Sequence, residues 1–325
     1  MTVTAEQLKA LVRRHIEGDN DGFYSVALQV AAHAAKSGQN RFAQDLRALI
    51  ESATAPALGP LARPTPLVQP RGELAGLVSA SYPETSLGAM TLDLLVRAKL
   101  ERILSEQRQR DRLAEYGLEP IHRILLLGPP GTGKSMSASA LAHELRLPLF
   151  TIQLHVVISK YMGETAAKLR LVFDAVATTR AVYLFDEFDA LGSQRTSGND
   201  VGEARRILNS FLQFLEEAAP GSLVVAATNH PQLLDRALFR RFDQVVEYGL
   251  PNEEAAVEVL VNRLDRLDTH ALDWRRVRVA TAGLSHADLV RSAESSAKLA
   301  VLAGRDSIST DDLVSALRDR HQADD

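Results

Sequence analysis

A glycine-rich stretch near the middle of the chain has the residue types needed to hold a nucleoside triphosphate. It fits the P-loop pattern G-x-x-x-x-G-K-[ST] and reads Gly128-Pro129-Pro130-Gly131-Thr132-Gly133-Lys134-Ser135, with Met136 next in the chain. Backbone N–H groups of such a loop, at the start of a helix, surround phosphate oxygens. We expect Lys134 to reach the β- and γ-phosphates and Ser135 to hold Mg²⁺. A chance glycine turn is the ordinary alternative, and the full motif between a strand and a helix disfavours it.

Two adjacent carboxylates follow a second apolar run. Asp186 and Glu187 directly follow the apolar stretch Ala181–Phe185. An apolar strand followed by two acidic residues is the form expected of a Walker B element. Asp186 would then hold the Mg²⁺ shell, and Glu187 would orient and polarise the attacking water, since phosphoryl transfer depends on positioning and charge stabilisation. Acids at a strand end can also serve only for solvation, but their occurrence after a P-loop favours the catalytic interpretation.

The elements that must position these residues alternate between strand and helix. Short apolar runs predict five strands, and the spacing of apolar residues predicts helices between them. The predicted strands are Ile124–Leu127, Leu149–Ile152, Ala181–Phe185, Leu223–Ala227 and Gln244–Tyr248. We therefore predict an α/β fold with a parallel five-stranded sheet and helices on both faces. Asn229 would lie at the carboxyl edge of that sheet, where it could hold the γ-phosphate or the attacking water.

The composition is that of an ordinary globular protein. The chain has 325 residues, 46% of them hydrophobic, with net charge −4 and pI near 6.2. This charge balance gives no case for binding duplex nucleic acid. The absence of cysteine excludes disulfides and thiolate metal sites. No apolar segment approaches the ~20 residues that span a bilayer, and the N-terminus lacks a signal-peptide core, so we expect a soluble cytoplasmic protein.

The chain divides by pattern into four regions. Residues 1–54 have three short amphipathic helical stretches, which predict either a docking module for a partner protein or substrate or a plain helical appendage. Residues 55–85 contain six of the 13 prolines and predict an extended linker. Residues 86–250 carry the ATP motifs. Residues 251–325 predict a small helical domain with helices Pro251–Arg266, Ser285–Leu302 and Asp311–Leu317, capped at Asn252 and Ser285.

The motifs together resemble those of AAA+ ATPases, and more narrowly the classic AAA clade that contains katanin, spastin and related remodelling ATPases. The resemblance rests on Gly128–Ser135, Phe185-Asp186-Glu187, Asn229 and the pair Arg240-Arg241 within Ala-Leu-x-Arg-Arg-Phe-Asp. It covers about residues 120 to 303. It implies a P-loop NTPase fold, ATP and Mg²⁺ as cofactors, and a role for Asn229 as the polar residue named sensor 1.

The same resemblance assigns a role in the neighbouring subunit to two arginines. Arg240 and Arg241 would be arginine fingers that project into the next subunit's nucleotide site, which implies a homo-oligomeric ring, usually a hexamer. Arg241 is slightly preferred as the direct finger. The alternative for either residue is an ion pair within the chain, for instance with Asp243.

The resemblance also places a substrate-gripping surface. Lys160, Tyr161, Met162 and Gly163 look like the first pore loop, which holds polypeptide in the axis of the ring, and residues 195–203 would form a second loop beside it. An exposed aromatic and methionine can intercalate between substrate side chains without reading sequence. Tyr161 could instead be packed in the core.

Two positions depart from the family's pattern. Its usual segment before the P-loop is replaced by Leu87-Gly88-Ala89-Met90, which leaves the adenine pocket unassigned. In the small domain, Gly283-Leu284-Ser285-His286-Ala287-Asp288-Leu289 resembles the family's Gly-x-Ser-Gly-Ala-Asp-Leu with His286 in place of glycine. His286 would be either a nucleotide contact or, as we prefer, a residue of the helix start.

Three functions fit these features. The leading one is an ATP-hydrolysing ring that remodels, unfolds or threads protein substrates. The second is a loader-like ATPase acting on nucleic acid or its complexes, which the acidic net charge disfavours. The third is an ATP-controlled assembly switch that recruits a partner enzyme such as a separate protease. No protease motif is present in this sequence, because His143-Glu144 lacks the second histidine of H-E-x-x-H and no G-x-S-x-G occurs.

Overall fold

The computed structural model describes residues 72–158, 162–191, 200–234 and 236–323. The docking module predicted over residues 1–54 lies outside the described residues, as does the linker up to residue 71. Lys160 and Tyr161 of the first candidate pore loop and residues 195–199 of the second also lie outside them. None of the described helices is long and apolar enough to cross a membrane.

A six-stranded sheet forms the centre of the described residues. Its order is β1-β3-β4-β5-β2-β6, and every neighbouring pair is parallel except β1 with β3. The strands are β1 (Val78–Ser81), β2 (Arg123–Leu127), β3 (Leu149–Ile152), β4 (Val182–Phe185), β5 (Leu223–Thr228) and β6 (Gln244–Glu247). Because the parallel strands run in one direction, their carboxyl ends meet at one edge, where ligands bind in open α/β sheets.

Helices cover the sheet and form the C-terminal region. They are α1 (Leu94–Arg108), α2 (Arg110–Glu115), α3 (Lys134–Leu145), α4 (Leu154–Val157), α5 (Met162–Thr178), α6 (Asp200–Glu217), α7 (Arg236–Phe239), α8 (Glu253–Arg263), α9 (Trp274–Thr281), α10 (His286–Leu302) and α11 (Thr310–Ala323). Short 3₁₀ turns occur at Gly72–Gly76, Leu87–Ala89, Phe188–Leu191 and Pro231–Leu233.

The α/β class is confirmed, and each of the five predicted strands is present to within one residue at either end. The sixth strand, β1, is a correction, because it falls in the stretch that was predicted to be a linker over residues 55–85. It pairs antiparallel with β3 from Val78↔Ile152 to Ser81↔Leu149, and Val78 is buried. An edge strand needs ladder hydrogen bonds on one side only, so a strand of four residues forms here even beside Pro83.

The two faces of the sheet have different packing. Along β4, successive side chains point to opposite faces, so Tyr183 and Phe185 lie in one core and Val182 and Leu184 in the other. The first core contains an aromatic cluster in which Phe185 and Phe211 meet edge to face at 5.0 Å. The second is mostly aliphatic, with Tyr248 as an aromatic member, and packs α1 and α3 against the sheet. Side chains of β4, which Asp186 directly follows, are thus packed on both faces of the sheet.

A third core belongs to the C-terminal helices. Two predicted N-caps are present there: Asn252 Oδ1 accepts from the N–H of Ala255 at 2.8 Å, and Ser285 and Asp288 form a capping box. Helix α9 was not predicted. It buries only Val277 and Thr281 among several arginines, so its apolar pattern is too sparse to be recognised.

Candidate active site

The loop after β2 has the close backbone approaches that a P-loop requires. Gly128 has φ +146°, and a Cβ at that position would lie 2.3 Å from the carbonyl oxygen of Tyr248. Only glycine fits there. Tyr248 in turn donates from its hydroxyl to Ser137 Oγ at 2.7 Å, and Ser137 Oγ donates to the carbonyl of Gly133 at 3.0 Å. Tyr248, which directly follows β6, therefore supports both ends of the loop, and helix α3 begins directly behind the loop at Lys134.

Lys134 is buried in the loop. Its Nζ donates to the carbonyls of Gly128 at 2.8 Å and Pro129 at 2.7 Å, and the residue as a whole is 6% exposed. Burial lowers the pKa of Lys134, and the carboxylates of Asp186 and Asp189 act in the opposite direction. The ammonium group is thus held at the centre of the loop, where phosphate oxygens could replace the two carbonyls as its acceptors.

Ser135 and Asp186 meet across the site. The Ser135 hydroxyl donates to Asp186 Oδ2 at 2.6 Å, which brings together one residue from the loop and one from the end of β4. A hydroxyl and a carboxylate are hard oxygen donors that suit Mg²⁺, which keeps most of its coordination shell for water and substrate phosphates. In the described residues, no group of three or more His, Cys, Asp or Glu side chains could hold a metal alone. The donor set therefore fits a magnesium ion bound together with a nucleotide.

Glu187 and Asn229 lie at the same edge of the sheet. Glu187 is exposed, has φ +51°, and donates its N–H to Asp186 Oδ1 at 3.0 Å. A glutamate in the left-handed region is uncommon, and such strained positions cluster at functional sites. Asn229 follows Thr228, whose hydroxyl donates to Asp189 Oδ1 at 2.7 Å. The structure thus brings together all the catalytic and phosphate-binding residues predicted on the P-loop, β4 and β5.

One cavity of about 840 Å³ joins these residues to the C-terminal helices. Its polar end is lined by residues 130–136, Asp186, Glu187 and Asn229. Its other end is lined by residues 89–92 and by side chains of α8 and α10, including Val259, Asn262, His286, Val290 and Arg291. The segment Leu87–Met90, which the sequence left without a role, supplies Ala89 and Met90 to this wall. A volume of this size is in the range of small-molecule sites.

The preferred interpretation of His286 as a residue of the helix start is confirmed, and a nucleotide contact stays a prediction. This histidine is the first residue of α10, directly after the N-cap Ser285, and it also lines the cavity. Sequence reasoning missed Thr91, Val259, Val290 and Arg291 as wall residues. The two valines carry no signal of their own, because an apolar residue on a helix predicts core packing equally well.

The structure does not bring Arg240 and Arg241 to this cavity. Both side chains are exposed, and Arg241 forms an ion pair with Glu216 of helix α6. The alternative of an ion pair within the chain is therefore confirmed for Arg241, but its partner is Glu216 and not Asp243. Asp243 is instead held by Arg123 through a contact of 2.6 Å. Asp243 also accepts from the backbone N–H groups of His122 and Arg123, at 3.1 and 2.9 Å.

The candidate pore loops are only partly described. Met162 and Gly163 form the first residues of helix α5, and residues 200–203 form the start of α6. Their roles stay predictions.

Comparison with known proteins agrees with the motifs. The family model of the ATPase family associated with various cellular activities (AAA) matches residues 124–250. An uncharacterized AAA family ATPase of Sinorhizobium fredii is 31% identical over 97% of this chain and 94% of its own length. The structure of this chain is also similar to the crystal structure of the FIGL-1 AAA domain. The two have a TM-score of 0.61 and 26% sequence identity, and the match covers 79% of this chain and 92% of that domain.

Two further relatives are longer proteins. An ATP-dependent zinc metalloprotease of Sphaerobacter thermophilus is 32% identical over 76% of this chain, and a proteasome-activating nucleotidase of Thermococcus onnurineus is 31% identical over 70%. This chain spans 52% of the metalloprotease and 58% of the nucleotidase. A relative matched over almost its whole length, together with a complete P-loop and acidic pair on the expected sheet, shows that this chain belongs to the AAA family and is an ATPase.

Proposed function

We propose that this ATPase assembles as a hexameric ring of identical subunits and uses ATP hydrolysis to remodel, unfold or thread protein substrates through a central pore. The observation that carries the proposal is the position of Arg240 and Arg241. They are exposed and do not line the cavity of their own chain. If they serve hydrolysis, they must do so at the nucleotide of a second copy.

Within one subunit, each residue at the cavity has a separate task. Lys134 and the loop N–H groups bind and orient the β- and γ-phosphates. Ser135 and Asp186 would hold Mg²⁺, which supplies charge neutralisation at the phosphates when it is bound. Glu187 orients and polarises the attacking water, and Asn229 holds the γ-phosphate or that water in line.

Between subunits, a guanidinium group completes the site. Negative charge spreads over the γ-phosphate oxygens in the transition state, and an arginine supplied in trans can be worth ~10³–10⁵ in rate. Hydrolysis in one subunit would then depend on the position of its neighbour. Such a dependence would allow the subunits of a ring to hydrolyse ATP one after another.

The pore is assigned from the sequence. Lys160, Tyr161, Met162 and Gly163 precede and begin helix α5, whose other end leads into β4 and Glu187. A movement of the acidic pair could reach the loop through this single helix. The names of two relatives, a proteasome-activating nucleotidase and an ATP-dependent zinc metalloprotease, support a protein substrate. The narrower likeness to the katanin and spastin group and a cytoplasmic location stay predictions.

The same names favour a second candidate. This chain could deliver proteins to a protease on another chain, with residues 1–54 as the docking module for that partner. The first candidate requires gripping of substrate by the pore loop, whereas the second also requires a specific partner that residues 1–54 bind.

A trapped ring tests the proposal. Glu187→Gln should bind ATP without turnover, sediment as a hexamer in ATP, and retain fluorescently labelled casein as an unfolded substrate. Lys134→Ala in the same background should abolish both rings and casein binding. Tyr161→Ala in the Glu187→Gln background should keep the ring but lose casein. A wild-type chain that stays monomeric and hydrolyses ATP at the same specific rate at every dilution would refute the ring.

A further inference from the structure

Tyr248 contacts the P-loop at both of its ends. Its backbone N–H donates to the carbonyl of Leu127, the last residue of β2, at 2.7 Å, and its own carbonyl oxygen lies against Gly128, where no Cβ would fit. Its hydroxyl reaches the far end of the loop, where it donates to Ser137 Oγ at 2.7 Å. The sequence predicts only a strand end at Tyr248, and nothing in it connects this residue with Ser137, 111 residues earlier.

Ser137 extends this contact to Gly133. Its Oγ donates to the carbonyl oxygen of Gly133 at 3.0 Å, and its backbone N–H donates to the same oxygen at 2.8 Å. The hydroxyl groups of Tyr248 and Ser137 therefore form a chain of two hydrogen bonds that ends on the Gly133 carbonyl. Hydrogen bonds in such a chain polarise one another. Ser137 is fully buried and Tyr248 is 6% exposed, so water does not compete for these groups.

The direction of this chain is fixed by the protonation of Tyr248. Burial raises the pKa of Tyr248 to about 12, and the hydrogen bond to Ser137 acts in the opposite direction without outweighing it. At neutral pH the phenol therefore keeps its proton and donates it to Ser137. The aromatic ring belongs to the core that packs α1 and α3 against the sheet, so the hydroxyl extends from a packed side chain.

The chain ends on a peptide group next to the phosphate site. Gly133 is the N-cap of α3 and has φ +98°. The C=O of Gly133 and the N–H of Lys134 belong to one planar trans peptide, so they point in opposite directions. Because Ser137 holds the C=O toward the helix interior, the N–H of Lys134 points out of the helix N-terminus. The first N–H groups of a helix have no partner within it and bind anions.

We propose that Tyr248 is a positioning residue for phosphate binding, which acts through Ser137 to hold the end of the P-loop in the orientation that its N–H donors need. Tyr248 does not touch the nucleotide. ATP and ADP both place phosphates in the loop, so the hydroxyl of Tyr248 contributes to the affinity for either nucleotide. The aromatic ring itself serves the fold, and the hydroxyl serves the loop.

Tyr183 is a buried tyrosine whose hydroxyl has no connection with the loop. It is fully buried on β4, and its hydroxyl lies 2.8 Å from the carbonyl oxygen of Ala175 and 2.9 Å from that of Thr179, near the end of helix α5. None of these residues lines the cavity. Removal of this hydroxyl therefore measures what a buried tyrosine hydroxyl contributes to the fold alone.

Tyr248→Phe removes the hydroxyl and keeps the aromatic ring. In titration calorimetry of dilute protein with ADP, we expect the dissociation constant to rise by about five- to tenfold, as for one buried hydrogen bond. In steady-state assays the KM for ATP should rise by a similar factor while kcat stays within about twofold, because the loop donors bind phosphate both before and during the reaction. Binding of ADP to dilute protein does not depend on assembly into a hexamer.

Tyr183→Phe is the matched control. It should lower the melting temperature, as Tyr248→Phe does, and keep the wild-type affinity for ADP. Ser137→Ala should weaken ADP binding by a factor similar to that of Tyr248→Phe. The double variant should bind ADP within about twofold of the weaker single variant, because the two hydroxyls belong to one chain of hydrogen bonds.

Wild-type affinity for ADP in a folded Tyr248→Phe would overturn the proposal. An equal loss of affinity in Tyr183→Phe would also overturn it, because the hydroxyl would then act only through the stability of the fold. If the loss in the double variant equals the product of the two single losses, Tyr248 does not act through Ser137. A fall in kcat at unchanged KM would likewise contradict a role in phosphate binding. Ser137→Ala decides the same question if Tyr248→Phe does not fold.

Discussion

The backbone N–H of Ala287 donates to the carbonyl oxygen of Gly131 at 3.0 Å, which connects the first turn of helix α10 directly to the P-loop. The first N–H groups of a helix have no partner within it, and this one is used by the loop that binds the phosphates. If the loop moves when a nucleotide binds or leaves, this hydrogen bond would therefore transmit the movement directly to helix α10. The contact gives a physical route from the state of the nucleotide to the orientation of that region.

Replacement of Gly131 by alanine tests this contact. The added Cβ would lie 2.4 Å from Ser285 Oγ and 3.0 Å from Ala287 Cβ, at a residue whose φ is +71°. The clash and the left-handed backbone together should weaken ATP binding by about tenfold or more. Binding of a fluorescent ATP analogue measures the effect. Gly221→Ala is the control, since nothing lies within 4 Å of a Cβ there. Wild-type affinity in Gly131→Ala would show that the loop does not need this contact.

The hydrogen bond between Thr228 and Asp189 should set the position of Asn229. Thr228 is buried, donates to Asp189 at 2.7 Å and accepts from the N–H of His230 at 3.0 Å, so Asn229 lies between two fixed neighbours. Thr228→Val keeps the shape and removes both bonds. We expect kcat to fall by about 5- to 10-fold with little change in KM, as for a lost hydrogen bond of about 1 to 1.5 kcal/mol.

Thr228→Ser keeps the hydroxyl and is the matched control for that series. It should retain most of the wild-type kcat. If Thr228→Val changes KM alone, the pair supports nucleotide binding and not the placement of a catalytic group.

The sequence predicts those parts of the site whose residues are neighbours in the chain, and it misses those built from residues that are distant in the chain. The P-loop residues are consecutive in the sequence, and Asp186 directly follows an apolar run that is recognisable as a buried strand. These positions could therefore be predicted from the sequence alone. The end of the cavity away from Lys134 and Asp186 could not, because it is assembled from residues 89–92 and from helices α8 and α10. The partner of Asp243 was missed for the same reason, since Arg123 lies 120 residues away and no local pattern connects them.

The two arginines should contribute unequally to catalysis, and the ion pair of Arg241 reverses the slight preference for Arg241 made from the sequence. Arg241 has an acidic partner in its own chain, Glu216, whereas Arg240 is exposed and has no ion-pair partner among the described residues. We therefore expect Arg240→Ala to reduce kcat by ~10² or more, and Arg241→Ala and Glu216→Gln to reduce it by less than about tenfold through loss of positioning. Steady-state ATPase assays above the ring-forming concentration measure this.

Mixing experiments show whether the arginine acts in trans. Arg240→Ala subunits mixed with Lys134→Ala subunits should regain activity, because some interfaces then pair an intact P-loop with an intact arginine. Arg112→Ala, which removes an exposed arginine on helix α2, should leave the rate unchanged. A larger loss in Arg241→Ala than in Arg240→Ala would reverse the assignment.

Asp243 should stabilise the fold in a pH-dependent way. Burial alone would raise the pKa of Asp243, but hydrogen bonds from the Arg123 side chain and from the backbone N–H groups of His122 and Arg123 outweigh it and hold the pKa below its ordinary value. A carboxylate with a depressed pKa in the folded state stabilises that state fully above its unfolded pKa of about 3.9. The stabilisation is lost as the pH falls below that value and through the folded pKa.

Asp243→Asn should therefore lower the free energy of unfolding by about 1–3 kcal/mol at pH 7, because it removes the charged acceptor of Arg123. The difference from wild type should shrink when urea unfolding is repeated near pH 3.5, since that pH lies below the unfolded pKa of the carboxylate, where part of its stabilising effect is already lost. Asp111→Asn is the control, because that side chain is 93% exposed and should show no difference at either pH. A constant difference across the pH range would mean that Asp243 acts through its shape and not through its charge. In that case Arg123 would not be what anchors the segment carrying Arg240 and Arg241.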